Sequence, residues 1–191
     1  MALVPVPGDI ATTAETLDGL EIVIPAKRSL LIVLFLTFWL TGWAFGEGTA
    51  ALELLRPTGS NAPTTFLAAW LGMWTIGGGV AIYTWAWMLF GKERVVLGAS
   101  SLAIGREILG LSRRKEYDLM AVTQLQPSAF GPTRFGVGTM NWFGGIAGGS
   151  LQFDYGSRTI RFGAALQEAE AKRLASLLVR RRPSLGGARA D

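Results

Sequence analysis

The chain has 191 residues, of which 50% are hydrophobic, and its mean hydropathy of +0.35 is too high for an average soluble domain. It contains neither cysteine nor histidine, which excludes disulfides, thiolate chemistry, zinc sites built from these ligands, histidine-ligated haem and acid–base catalysis by histidine. The net charge of +4 is uneven: residues 1–28 carry −2, residues 47–65 carry −1 and residues 92–191 carry +7.

Residues 1–28 are predicted to form an N-terminal tail that ends in a short strand. Residues 1–19 contain prolines, small residues and acids but no basic cluster, so we expect a retained, partly flexible tail. Leu20, Ile22 and Ile24 then alternate with Glu21 and Val23. This alternation predicts an extended segment that can pair with a sheet edge elsewhere.

The first predicted membrane helix covers residues 29–46, an uncharged run that directly follows Lys27 and Arg28. At about 1.5 Å per residue it is about 27 Å long. Phe35, Trp39 and Trp43 recur every four residues and therefore form an aromatic ridge on one side. The ridge either packs within a helical hairpin or contacts another membrane protein.

The second predicted membrane helix covers residues 66–90, which contain no charged residue. Its length of about 37 Å exceeds the roughly 30 Å of a bilayer core; the alternative is a buried helix of a soluble protein. Plotted at 100° per residue, its tryptophans fall on one side and its small residues on another, where a second helix can approach closely. Glycines are also tolerated in membrane helices without any such role. The small residues are Ala68, Gly72, Thr75, Gly79 and Ala86, and the tryptophans are Trp70, Trp74 and Trp85.

The connection between the two predicted helices, residues 47–65, contains Arg56 as its only basic residue. Lys27 and Arg28 precede the first helix, and Lys92 and Arg94 follow the second. The positive-inside rule therefore places both termini in the cytoplasm. We expect a multi-pass protein of the bacterial inner membrane.

Residues 92–183 are predicted to form a small α+β domain, followed by a tail over residues 184–191. Short alternating stretches with Gly or polar breaks predict strands at 94–97, 101–106, 114–119, 122–126, 151–155 and 159–162. The last two flank Gly156 and Ser157, as in a hairpin. Residues 165–182 change to the helical period, with an apolar face formed by Ala171, Leu174, Leu177 and Leu178.

Three segments carry a resemblance to a known family: the entry to the first helix at residues 19–29, the strand pair at 101–119, and the ending at 148–183, where an aromatic-rich hairpin runs into a helix. Over residues 20–183 the chain resembles the bacterial PH-like membrane proteins. The resemblance implies a two-helix membrane hairpin and a small, strongly bent antiparallel sheet closed at one end by the C-terminal helix. It implies no catalytic residues.

Residues 127–150 form a long loop with seven glycines and four large aromatic residues, Phe130, Phe135, Trp142 and Phe143. Long glycine-rich loops in compact domains are often functional, and large aromatic rings are costly to leave in water. We expect a contact surface for a partner or for the bilayer interface. Packing of these rings under their own loop is an equally good interpretation.

Two groups of charged residues are candidate sites, one for a metal or acid–base chemistry and one for lipid headgroups. Glu116 and Asp118 share one face of a strand, as a metal or acid–base pair does, but the neighbouring Arg113, Arg114 and Lys115 favour a solvated, charge-balanced face. The triplet Arg180, Arg181 and Arg182 is predicted to contact anionic lipid headgroups. Nucleic acid is not expected as a partner, because eight acids accompany the fifteen basic residues of residues 92–191 and no binding motif is present.

These patterns predict a non-enzymatic accessory or assembly subunit of a larger integral membrane complex. A bioenergetic complex is the expected host, either a photosynthetic reaction-centre or light-harvesting complex or a respiratory one, because indole-rich helices pack well against flat ring systems. No metal and no cofactor is required; without histidine the chain is expected to supply only peripheral lipid or pigment contacts. The alternative is an independent membrane-anchored PH-like module that binds lipid headgroups or a peptide.

Overall fold

The computed structural model describes residues 10–55, 64–128 and 149–187. The chain divides into two compact units, Arg28–Leu89 and a second unit made of Met1–Lys27 and Phe90–Asp191. The first unit contains two long apolar helices, and the second contains two sheets and a C-terminal helix. The predicted order of two long helices, then a sheet domain, then a closing helix is therefore confirmed.

The first sheet has five antiparallel strands in sequence order: β1 Thr12–Thr16, β2 Gly19–Pro25, β3 Lys92–Leu97, β4 Ser101–Ile108 and β5 Leu111–Asp118. Strand β2 precedes the two long helices and pairs with β3, which follows them, so that Pro25 lies opposite Lys92. The predicted pairing of residues 20–24 with a sheet edge is thus confirmed. Strand β1 was not predicted, because its sequence shows no apolar alternation.

The second sheet contains three antiparallel strands, β6 Val122–Pro127, β7 Leu151–Tyr155 and β8 Arg158–Phe162, in that order. Strands β7 and β8 form the predicted hairpin, which turns at Gly156 with φ 58°. Helix α3, Glu168–Arg181, follows, and a short 3-10 turn at Pro183–Gly186 ends the described chain.

The core of this unit lies between the two sheets and α3. Alternate residues of β2 are buried, and Tyr117 meets Phe153 edge-on with ring centroids 5.3 Å apart. On α3 the predicted apolar face is present: Ala171, Leu174 and Leu178 are buried, and Leu177 is partly buried against the core. The largest fully buried side chains include Phe153, Phe162, Ile22, Ile24, Leu102 and Leu151. Burial of this apolar surface is the main force that holds the sheets and the helix together.

The two ends of the first sheet differ in what they connect to. At one end, here called the helix-linked end, Pro25 and Lys92 lie opposite each other, and the N–H of Ala26 donates to the carbonyl of Gly91 at 2.9 Å. The β4–β5 turn lies at this same end, because Glu107 of β4 is opposite both Lys92 of β3 and Ser112 of β5. The other end, called the far end, carries the β1–β2 and β3–β4 turns.

The long helices are α1, Leu30–Leu55, and α2, Thr64–Phe90, with lengths of about 39 and 40 Å. Both are long and apolar enough to cross a membrane, with mean hydropathies of 1.7 and 1.5. Helix α1 continues nine residues beyond the predicted end at Gly46, because residues 50–55 are good helix formers and carry the helix past Gly48. Glu47 therefore lies inside a helix and not in a connection.

Candidate functional site

Helices α1 and α2 pack against each other along one face of each helix, here called the hairpin face. Leu36 is buried on α1, and Gly78, Ala81 and Thr84 are buried on α2. The indole of Trp43 covers Gly78 so closely that a Cβ built there would lie 2.0 Å from Trp43 Cζ2. Gly78 is thus the glycine that the hairpin itself requires.

The predicted tryptophans lie mainly on this hairpin face. The rings of Trp39 and Trp74 have centroids 6.1 Å apart, and Trp70 stacks on Trp74 at 5.6 Å. Trp43 Nε1 donates to the carbonyl of Trp74 at 3.3 Å, and Trp85 Nε1 donates to Thr37 Oγ1 at 2.8 Å. These contacts favour packing within the hairpin for Trp39 and Trp43, whereas Phe35, the third member of the predicted ridge, is exposed.

The predicted small-residue positions lie on a different side of α2. Ala68, Gly72, Thr75 and Gly79 are exposed, and Ala86 is partly exposed. A Cβ added at Gly72 or Gly79 would meet no atom within 4 Å, in contrast to Gly78. We call Ala68, Gly72, Thr75 and Gly79 the small-residue face; the hairpin leaves its two glycines open.

Glu47 joins the hairpin face to the small-residue face. Its Oε1 is within hydrogen-bond distance of the Thr75 hydroxyl, which belongs to the small-residue face and shares its one hydrogen between Glu47 and the carbonyl of Leu71 at 2.7 Å. Its Oε2 is buried and has no hydrogen-bond partner among the residues that the structure describes. A buried carboxylate oxygen without a donor is costly. Glu47 was not predicted from the sequence; its position four residues after Trp43, on the same side of a continuing helix, was the available signal.

Two buried carboxylates in the sheet domain were also missed. Glu93 Oε2 accepts the N–H of Gly163 at 2.8 Å, and Glu170 Oε1 accepts the N–H groups of Ile10 and Ala11 at 2.8 and 2.7 Å. Burial raises the pKa of Glu93 above its ordinary 4.5, against the opposing effects of the Gly163 hydrogen bond and the charge of Arg106. Both groups have structural partners, so we assign them to the fold and not to a reaction.

A signal for both carboxylates was present in the sequence. Glu93 alternates with Val95 and Leu97 along β3, which places it on the core face. Glu170 precedes Leu174 by four residues on α3 and therefore shares its apolar side.

The predicted acid pair on β5 is engaged in local contacts. Glu116 pairs with Arg114 at 3.2 Å, and Asp118 Oδ1 accepts the N–H of Met120 at 2.9 Å in the following turn. Within residues 10–55, 64–128 and 149–187, no group of three or more acidic side chains could hold a metal ion. The geometry favours the solvated, charge-balanced strand face.

The arginine triplet lies at the far end of the first sheet. Arg181 pairs with Glu15 at the end of β1, and Arg182 Nη2 donates to the carbonyl of Ala99 at 2.5 Å; Arg180 is exposed. An open cleft here is lined by Arg181 and Arg182 together with the acids Glu15 and Asp18, so its charge is mixed. Headgroup binding by the triplet stays a prediction, and the internal partners of two of its guanidinium groups weaken it.

Phe130, Phe135, Trp142 and Phe143 lie outside the described residues, so the predicted contact loop stays a prediction. Comparisons with protein-family models, curated proteins and solved structures find no match to this chain. Function is therefore inferred from the residues and contacts above.

Proposed function

We propose that this chain is a non-enzymatic accessory or assembly subunit of a larger integral membrane complex, and that the small-residue face of α2 packs against a helix of another subunit. The single observation that carries this proposal is the pairing of Glu47 with Thr75 beside open space at Gly72 and Gly79.

Membrane crossing by both helices is the first step of the proposal. Only 6% of the α1 span and 11% of the α2 span are buried, whereas the core helix of a soluble protein is mostly buried. Large apolar side chains such as Phe38 (84% exposed) and Ile76 (72% exposed) point away from the hairpin. A bilayer supplies the apolar surroundings that these side chains lack, and the basic residues Lys27, Arg28, Lys92 and Arg94 orient both termini to the cytoplasm of a bacterial inner membrane.

Close packing on the small-residue face is the second step. In lipid, helices associate through van der Waals packing and hydrogen bonds, and glycines let two backbones approach closely. Gly72 and Gly79 are seven residues apart, which keeps both on one side over two helical turns. A partner helix can therefore contact this face along much of its length.

The unpartnered oxygen of Glu47 indicates the chemistry of the partner. An ionisable group at membrane depth is costly unless another group pairs with it. Because Oε1 already accepts from Thr75, Oε2 is the atom that needs a donor. Because Oε2 is buried in the hairpin alone, we expect the Glu47 side chain to turn toward the small-residue face when the partner helix packs there and brings a hydroxyl, amide or cationic side chain to this atom.

The expected host is a bioenergetic complex, photosynthetic or respiratory. Stacked aromatic rings at Phe66, Trp70 and Trp74 support it, because such rings pack well against flat pigments and neighbouring helices. The chain has no histidine or cysteine, so its role there is contact and assembly and not ligation or catalysis.

The two antiparallel sheets of five and three strands, closed by α3, support the PH-like description of the cytoplasmic domain. A lipid- or peptide-binding module is the alternative, but the mixed charge of the far-end cleft gives it less support.

Isolation of the full-length chain from its native membranes in mild detergent tests the proposal. The wild-type protein should carry a stoichiometric integral membrane partner, and Gly72→Leu with Gly79→Leu should lose it, because bulk on this face prevents close approach. The matched control is Gly77→Leu, on the same helix, where a Cβ also meets open space but which lies outside the small-residue face. A monomer without a partner, or retention of the partner by the double variant, would contradict the proposal.

Glu47→Gln tests the chemical part of the same proposal. The amide keeps the shape and an acceptor for Thr75 but removes the negative charge. Because hydrogen bonds to charged groups are worth about 1.5–3 kcal/mol, association should weaken about tenfold or more. Unchanged association would show that Glu47 does not meet the partner.

A further inference from the structure

We propose that the β4–β5 turn, Ile108–Leu111, inserts into the interface of the membrane that α1 and α2 cross, with the basic residues behind it in contact with anionic lipid headgroups. This inference rests on the proposed membrane crossing and not on the proposed partner.

The turn exposes apolar side chains in a place where the fold does not need them. Leu109 and Leu111 are 68% and 81% exposed. Leu109 has φ +50° and is followed by Gly110 at φ +85°, so both central residues of this two-residue turn are in the left-handed region. Asn-Gly is the usual choice for such a turn, and a leucine there is strained. Leu109 therefore serves neither the core nor the turn, and an apolar surface outside the domain gives it a role.

The turn lies at the helix-linked end of the sheet. Glu107 of β4 is opposite both Lys92 of β3 and Ser112 of β5. The turn joins β4, which pairs with β3, to β5, the next strand of the sheet, so it lies within two interstrand spacings, about 10 Å, of β3. Lys92 follows the last residue of α2, Phe90, by two residues. A membrane surface at which α2 ends is consequently within reach of the turn through the connectivity of the chain alone.

The charges next to the turn match an anionic surface. On one face of the β4–β5 pair, Ile108 lies opposite Leu111, and Arg106 lies opposite Arg113 in the next row. Leu111, Arg113 and Lys115 are all exposed on this face. The acid nearest the turn, Glu107, is neutralised by Lys92 at 2.8 Å and Arg94 at 3.1 Å, which lowers its pKa. An apolar tip backed by basic residues is the pattern of an interfacial membrane anchor.

The far end of the same sheet supplies internal controls. Leu17, in the β1–β2 turn, is fully exposed there, and Arg181 and Arg182 line the same cleft. The inference thus assigns headgroup contact to a different basic cluster from the triplet that the sequence predicts.

Single-cysteine labelling of the full chain tests the inference, because the chain contains no cysteine of its own. Leu111→Cys, Leu17→Cys and Phe38→Cys are each labelled with an environment-sensitive fluorophore and reconstituted in vesicles of phosphatidylcholine and phosphatidylglycerol. We expect the label at position 111 to be quenched by doxyl lipids and shielded from aqueous iodide, and the label at position 17 to show the reverse.

The other outcomes contradict either the insertion of the turn or the membrane crossing. If the label at position 111 is as accessible to iodide as that at position 17, or is shielded from both quenchers, the turn does not contact lipid. If the label at position 38 on α1 is also not quenched by doxyl lipids, the proposed membrane crossing fails as well. If doxyl lipids quench the label at position 38 but not the label at position 111, the proposed membrane crossing stands and only the insertion of the turn fails.

Two further variants separate insertion from folding. Leu109→Asn suits the positive φ, so the melting temperature should be unchanged or higher, while lipid quenching of a label at position 111 should fall at least twofold. Arg113→Gln with Lys115→Gln should reduce that quenching at least twofold in vesicles with phosphatidylglycerol, whereas Arg180→Gln with Arg181→Gln should leave it unchanged. Equal effects of the two pairs, or no effect of Leu109→Asn, would count against the inference.

Discussion

At the scale of single residues, Glu93 shows how one buried carboxylate links the sheets. Its side chain starts on β3 of the first sheet and accepts the N–H of Gly163, which directly follows β8 of the second sheet. The hydrogen bond removes a buried unsatisfied donor, while burial of the carboxylate raises the Glu93 pKa.

The raised pKa predicts a pH-dependent stability. The folded state binds a proton at Glu93 more tightly than the unfolded state does, so this contribution to stability is complete below about pH 4.5 and is lost as the pH rises through the raised value. Glu93→Gln should remove this decrease and leave the protein as stable as or more stable than wild type at neutral pH. Thermal unfolding of the detergent-solubilised wild type and Glu93→Gln, from about pH 4.5 to neutral pH, measures this difference in stability.

Glu93→Leu is the informative counterpart, because it also removes the acceptor for Gly163. An unsatisfied buried N–H costs about 1–3 kcal/mol, so this variant should unfold at a lower temperature than wild type at neutral pH. If Glu93→Leu is as stable as Glu93→Gln, the hydrogen bond to Gly163 contributes nothing measurable.

At the scale of elements, two neighbouring glycines of α2 differ in the space around them. Gly78 is covered by Trp43, whereas a Cβ at Gly77 meets no atom within 4 Å. Overpacking costs about 1–3 kcal/mol, while Gly→Ala in an open helix position stabilises by about 0.5–1 kcal/mol. Gly78→Ala should therefore destabilise the hairpin and Gly77→Ala should not, as measured by denaturant titration of tryptophan fluorescence. Similar destabilisation by both substitutions would place Trp43 elsewhere.

The residues that lead into β1 are held to α3 by the Glu170 carboxylate, in addition to the ion pair of Arg181 with Glu15. Glu170 Oε1 accepts both the Ile10 and the Ala11 N–H groups, some 160 residues away along the chain. Glu170→Ala leaves these donors unsatisfied and should speed hydrogen exchange in β1 while exchange in β3 and β4 is unchanged, because the paired central strands do not depend on this contact. Uniform acceleration throughout the sheet would indicate a global loss of stability instead.

At the scale of the whole molecule, the charge distribution predicts one orientation in the membrane. The basic residues Lys27, Arg28, Lys92 and Arg94 flank one side of the helix pair, and Arg56 is the only basic residue between the helices. Ser60→Cys, between the helices, should react with an impermeant maleimide in intact spheroplasts, whereas Leu17→Cys should react only after lysis. Labelling of Leu17→Cys in intact spheroplasts would reverse the orientation.

The sequence alone determined the long apolar helices, seven of the eight strands, the C-terminal helix and the exclusion of histidine and cysteine chemistry. These features depend on composition and on periods of two or 3.6 residues, which are local properties of the chain. The sequence also places the small residues of α2 together on one side of the helix, because of their spacing.

Only the tertiary structure decided which face of α2 the hairpin uses. Helical spacing separates Gly78 from Gly72 and Gly79 but does not say which side meets α1; it is the position of Trp43 that assigns Gly78 to the hairpin and leaves the other two open. The partnership of Glu47 with Thr75 and the location of Leu109 at the helix-linked end likewise follow from long-range pairing. Such contacts depend on the register between segments far apart in the chain, which local periodicity does not specify.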